Sequence, residues 1–206
     1  MLDANLVLFA GASLALIATP GQDNVYILTR GVAQGRRAAL VSAWGVSAGL
    51  LVHTALAAAG LSAILASSAV AFSVVKYAGA AYLAYLGVRM LLSHEVLAVS
   101  GDENPGGMGR VFWQGVASNV LNPKVALFFL AFLPQFAGAG GAGLRFLFLG
   151  LLFVALALVA TTVFALFCGT VGDWLEGRPG VARATGRVAG GVLLALAVRL
   201  ALTNAR

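Results

Sequence analysis

The sequence predicts an all-α integral membrane protein of six transmembrane helices, arranged as two inverted three-helix repeats with helices one and four broken. Three observations predict it: a composition too apolar for a surface in water, six apolar runs of membrane-crossing length, and matching interruptions half a chain apart. Hydrophobic residues make up 61% of the chain and charged residues only 10%, with a mean hydropathy of +0.96. A soluble domain carries about 25% charged residues.

The apolar runs occupy residues 5–29, 38–61, 69–92, 111–137, 144–171 and 181–202. Each is near the roughly 20 residues that a helix needs to cross the hydrocarbon core. Backbone groups in lipid must pair internally, and the runs lack the alternation of a barrel strand, so helices are predicted. Small residues pervade them, as at Gly45, Gly49, Gly60, Gly79, Gly190 and Gly191. In a bilayer such residues let helices pack backbone to backbone; these faces also permit a homodimer. Six spans leave room for one membrane domain over 1–206, with repeat one at about 1–92, a linker at 93–110 and repeat two at about 111–206. The linker holds Glu95, Asp102, Glu103 and Asn104-Pro105-Gly106-Gly107, the composition of a solvated connection.

The net charge is +6. In a soluble protein that balance would suggest nucleic acid. Here the arginines stand at the ends of apolar runs, where they act as cytoplasmic anchors. Arg30, Arg36 and Arg37 follow run one, Arg89 and Arg110 flank the linker, and Arg178, Arg183 and Arg187 follow run five. The connection after run two is uncharged and that after run four has Arg145 alone, while Trp44, Trp113 and Trp174 lie on the arginine-rich side. This pattern predicts a multi-pass protein with the linker inside the cell and both termini outside, Arg206 dissenting. Met1-Leu2-Asp3 has no basic leader region, so run one is expected to remain as a span.

Two interruptions carry the chemistry. Run one contains Thr19-Pro20-Gly21-Gln22-Asp23-Asn24, and run four contains Asn119-Val120-Leu121-Asn122-Pro123-Lys124. Pro20 and Pro123 are 103 residues apart in a chain of 206. An odd number of spans per half inverts the second half relative to the first. Thr19 and Asn122 are N-cap residue types, each followed by a proline suited to the first helical position. Each break would end one half-helix and start another, exposing unpaired N–H groups and a partial positive charge. Secondary transporters hold carboxylates and coupling ions near the midplane between such ends.

A simple proline kink would not need Asp23 and Lys124, since a charge at the centre of a span costs about 2.5–3.5 kcal/mol. Asp23 has three open roles: taking a proton, accepting a substrate ammonium group, or pairing with Lys124. Asn24, Asn119 and Asn122 offer neutral donors and acceptors, although Asn119 would equally serve a helix–helix contact. Lys76 in run three is either a site residue or a snorkelling one. His53 reads as packed and Cys168 as a small packing residue. The single cysteine excludes a dithiol enzyme, and no serine–histidine or zinc signature is present. No cofactor or resident metal is expected. A divalent-metal exporter is the alternative, but it would need several ligands in one cavity, and Asp23, His53 and Cys168 lie in different runs beside a repelling Lys124.

These residues carry a resemblance. Pro20-Gly21-Gln22-Asp23-Asn24 with Gln34-Gly35-Arg36-Arg37-Ala38, then Lys76-Tyr77-Ala78-Gly79-Ala80-Ala81-Tyr82-Leu83, resemble the LysE/RhtB family of amino-acid exporters. So do Gly115-x-x-x-Asn119-x-x-Asn122-Pro123-Lys124, Phe128-Phe129 and Pro134-Gln135-Phe136 in the second half. The likeness spans essentially the whole chain. It implies efflux of amino acids or close derivatives across the bacterial inner membrane, driven by protons. Proline often stands in the family where this chain has Gln22; the Gln-Asp-Asn version looks like the homoserine/threonine branch and implies neutral substrates.

Overall fold

The computed structural model describes residues 4–19, 21–61, 69–92, 107–137 and 142–176, and scattered helical positions between 184 and 202. Helices account for its regular structure, with no strand among the described residues. In chain order they are α1 (Ala4–Ala18), α2 (Gln22–Gln34), α3 (Arg36–Leu56), α4 (Ala69–Leu92), α5 (Met108–Val120), α6 (Pro123–Phe132), α7 (Pro134–Ala137) and α8 (Ala142–Glu176). A π-helical turn, Ala57–Leu61, prolongs α3.

Among the described residues, α3 with its π turn (Arg36–Gly60) and the Gly143–Cys168 stretch of α8 are each long and apolar enough to cross a bilayer. The pairs α1–α2 and α5–α6 also qualify, each bent by 50° at its break. The outer surface suits lipid rather than water: Val70, Leu92, Trp113, Leu121, Leu144 and Val159 are all exposed. Pro20 and the linker residues 93–106 lie outside the described residues.

The first arginine-rich connection differs from the sequence expectation. Instead of a loop from residue 30, α2 runs on to Gln34, and a single residue, Gly35, turns the chain into α3. Gly35 has φ 83°, a left-handed conformation that glycine adopts without steric cost, and its N–H donates to Gly31 O at 2.9 Å. Arg36 and Arg37 begin α3 as exposed residues, but Arg30 is inside a helix and buried.

Helix α3 is the hub, packing on α2, α5 and α8. Its contact with α5 is made by glycines. A Cβ on Gly45 would strike the Phe112 carbonyl and lie 3.3 Å from Gly115 Cα, and one on Gly115 would lie 2.9 Å from Ser42 O. The Gly45-x-x-x-Gly49 spacing is therefore a backbone-to-backbone contact, of the kind that replaces the hydrophobic effect as a driving force in lipid. Buried Ser13, Thr54 and Thr161 each donate to the carbonyl four residues back, so none enters the interior unpaired.

Phenylalanines fill the space between α1, α6 and α8. Phe128 lies 4.7 Å from Phe132 and 5.3 Å from Phe153 between ring centroids, and Phe129 lies 5.2 Å from Phe153. Phe9 of α1 joins them, 5.4 Å from Phe136. A smaller cluster of Ile27, Leu28, Ala39, Ala43, Val46, Ala165 and Cys168 joins α2, α3 and α8.

Gly45→Val is expected to cost more than the roughly 1–3 kcal/mol of ordinary overpacking, because backbone cannot move aside as a side chain can. Thermal unfolding in detergent should show a large loss of stability, whereas Gly11→Ala, where an added Cβ meets nothing within 4 Å, should be neutral.

Candidate functional site

Both breaks terminate a helix and restart it within a few residues, and the two are closed differently. In the second, Asn122 is the N-cap of α6: its Oδ1 accepts from Lys124 N at 3.0 Å, with Pro123 in the first turn. In the first, Thr19 is not an N-cap. Its hydroxyl donates back to Ala15 O at 2.7 Å, closing the end of α1, and Gly21 stands at the cap position of α2 without a side-chain bond. Residue type predicts a capping role for Thr19; the hydroxyl instead adds a second bond to Ala15 O, which already accepts from Thr19 N at 3.0 Å.

Asp23 occupies the first turn of α2, where the helix dipole favours an anion, and is 8% exposed. Its Oδ2 accepts from Asn119 Nδ2 at 2.8 Å and from Asn122 Nδ2 at 3.1 Å. Its Oδ1 is buried and has no hydrogen-bond partner among the described residues, and the same is true of Asn119 Oδ1. A carboxylate from the first break is thus clamped at one oxygen by two amides from the second, while two acceptor oxygens have no partner among the described residues.

Lys124 is placed reciprocally. It sits in the first turn of α6, an unfavourable end for a cation, yet its ammonium crosses to the C-terminal end of α1. There Nζ donates to Thr19 O at 3.1 Å and Leu16 O at 3.4 Å. A Cβ on Gly21 would lie 2.9 Å from Nζ, so a larger residue there would crowd the lysine. Among the described residues no ion pair joins Asp23 to Lys124; each charge is met by neutral polar groups of the opposite half. Asn24 serves the first break, donating from Nδ2 to Thr19 O at 3.1 Å and Ile17 O at 3.3 Å.

His53 of α3 is 7% exposed, with Nε2 3.1 Å from Asn119 O and its ring 5.7 Å from Phe129. A carbonyl only accepts, so Nε2 carries the proton and donates to the end of α5. His53 therefore holds the backbone of a residue that holds Asp23. Lys76 lies on α4, away from this cluster in sequence, and its side chain is outside the described residues.

A profile of the LysE type translocator matches residues 14–204. The chain belongs to that family. It is 30% identical over 166 residues to the homoserine/homoserine lactone efflux protein of Salmonella typhimurium, covering 80% of this chain and 81% of that one. It is 29% identical over 192 residues to the leucine efflux protein of Enterobacter, covering 90% of each. The leucine efflux protein of Klebsiella pneumoniae is 28% identical over 202 residues, 96% of this chain and 94% of its own. No solved structure matches.

One buried polar group of this translocator is not evident from its sequence. Arg30 is 5% exposed, donates from Nη2 to Gln114 Oε1 at 2.7 Å, and lies 5.7 Å from the centroid of the Tyr26 ring. Its neighbours Arg36 and Arg37 made it look like one of a loop cluster. The available signal was helical spacing, since Tyr26 is four residues before it and Asp23 seven.

The two jobs of Asn122 are separable. Asn122→Ala should lower thermal stability by about 0.5–2 kcal/mol through loss of the cap. Asn122→Ser should restore that stability in a detergent melt, because serine caps as well, without restoring the bond to Asp23.

Proposed function

We propose that this translocator exports neutral amino acids from the cytoplasm in exchange for protons, with Asp23 as the group that proton and substrate share. The single observation that carries the reading is the buried Asp23 carboxylate, fixed at Oδ2 by two amides and accepting nothing at Oδ1 among the described residues. A buried acceptor without a donor costs about 1–3 kcal/mol. A proton or a substrate ammonium group relieves that cost, and one oxygen accommodates one of them at a time. Competition at a single carboxylate is the minimum device for coupling a proton to an amine.

The efflux proteins that this chain resembles are named for homoserine and homoserine lactone and for leucine; homoserine and leucine are neutral amino acids, which supports the substrate class. In this reading α4 and the helix within 184–202 join the two single spans and the two bent pairs as six spans, and the bent pairs are inverted counterparts. The arginine-rich ends face the cytoplasm. Lys124 rests on the α1 carbonyls while the halves are closed, and transfers to the substrate carboxylate when they part. Asn119 and Asn122 hold Asp23 in place and complete the polar lining.

Amino-acid efflux from preloaded proteoliposomes tests this reading, with threonine, homoserine, leucine and lysine assayed separately, with and without an imposed proton gradient. The parent should export at least one neutral amino acid faster with the gradient, and Asp23→Asn should lose the gradient-dependent component. Folded parent protein that exports none of the four would turn attention to metal ions. Lys124→Ala exporting at the parent rate would remove the lysine from the carboxylate role.

A further inference from the structure

Helix α3 turns one face towards α5, and Gly45, Gly49 and His53 recur on it at intervals of four residues. At the two glycines the helices approach too closely for a side chain; at His53 a large, ionisable one is present. An ionisable residue within a span is expensive. Packing alone does not account for it: the ring lies against Phe129, a contact that an apolar side chain would make equally well.

The bond made by its nitrogen is the informative one. Nε2 donates to Asn119 O at 3.1 Å, but that carbonyl already accepts from Asn122 N at 2.9 Å. The histidine is therefore not needed to satisfy an orphan carbonyl at the end of α5. A second bond to the same oxygen fixes where the residue sits. Gly49, one turn earlier on α3, confines the same residue, since a Cβ there would lie 2.8 Å from Asn119 Cβ and 2.9 Å from Asn119 Oδ1. With Oδ1 on the α3 side, Nδ2 is left to meet α2, where it donates to Asp23 Oδ2 at 2.8 Å. Asn119 is thus gripped by α3 at its backbone and presented to Asp23 by its side chain.

The second amide on Asp23 is held independently. Asn122 donates to Oδ2 at 3.1 Å while its own Oδ1 caps α6, accepting from Lys124 N. His53 serves Asn119, and the cap serves Asn122.

We infer that His53 is a positioning residue for the exchange at Asp23, holding the Asn119 amide against the carboxylate through the Asn119 carbonyl. This rests on the exporter reading. His53 acts as a hydrogen-bond donor and not as a proton carrier. The nitrogen that faces the site bonds a carbonyl, which neither gives up a proton nor passes one on. Nε2 carries a proton both in the neutral tautomer that this bond requires and in the imidazolium, so the grip is the same in either form. Without it, one of the two amides on Oδ2 is loose, and Oδ1 is aimed less accurately at an ammonium group.

The test uses inside-out membrane vesicles, in which export is read as uptake of labelled leucine, or of whichever amino acid the parent exports fastest. His53→Leu, which keeps bulk and loses the donor, should raise half-saturation by about tenfold, the scale of one hydrogen bond to a charged group. His53→Gln, which restores an N–H donor but cannot titrate, should stay within about twofold of the parent and keep the response to a proton gradient. Asn119→Leu should also raise half-saturation, and adding His53→Leu to it should change the value by less than about twofold, because nothing is left to hold. A glutamine variant as impaired as the leucine variant, or one that loses the gradient response, overturns the donor role and makes the ring a proton carrier. Unchanged half-saturation in His53→Leu overturns it as well, and so do fully additive losses in the double variant, which would mean a structural effect independent of Asn119. Should His53→Leu fail to fold, His53→Phe keeps the ring and loses the nitrogen; failure of both to fold would make the bond structural and overturn the inference. Each of these failures leaves the exporter reading standing, whereas a folded parent that takes up no amino acid overturns both.

Discussion

A carboxylate buried in an apolar span is tolerable only if something polar comes to meet it, and in this protein what meets Asp23 comes from the other half of the chain. Asn119 and Asn122 reach its Oδ2 from either side of the second break, across 96 and 99 residues of sequence. That contact has consequences outward through the structure. It requires α5 to end at Val120 so that both asparagines face α2, and Asn122 to cap α6 while still sparing its amide nitrogen. It also needs α3 to approach α5 closely. Gly49 allows this: a Cβ there would lie 2.8 Å from Asn119 Cβ and 2.9 Å from Asn119 Oδ1.

The two breaks exchange their charges. The first contributes an anion that the second stabilises with amides, and the second contributes a cation that the first stabilises with carbonyls. Lys124 thereby offsets the negative end of the α1 dipole, while Asp23 offsets the positive end of α2. Each half is electrostatically incomplete alone. A direct Asp23–Lys124 ion pair would have neutralised both groups and left neither for a ligand. The exchange keeps both charges in neutral hydrogen-bonding surroundings. Under the proposed exchange, the polar contacts between the two breaks are the ones a substrate would replace.

The helical class and the two breaks were legible in the sequence for a simple physical reason: lipid tolerates so few polar residues that Asp23, Asn119, Asn122 and Lys124 stand out against apolar runs. Their partners were less legible. Residue type alone made Thr19 an N-cap, because a hydroxyl serves either direction along the chain and only the local backbone decides. Arg30 was obscured by its neighbours, since three arginines within eight positions look like a loop until Gly35 is seen to turn the chain in one residue. The phenylalanines of α6 and α8 were evident as apolar, but their mutual stacking depends on how the second break aims α6, which no periodicity encodes.

The shared use of Asp23 by proton and substrate is tested most directly by following proton release when a transported amino acid is added to purified protein in weakly buffered detergent solution. If the two compete at one carboxylate, the parent releases a proton in step with binding, and Asp23→Asn releases none at amino-acid concentrations that saturate the parent. Proton release of the same size from Asp23→Asn, or binding to the parent with no proton released, would contradict the account.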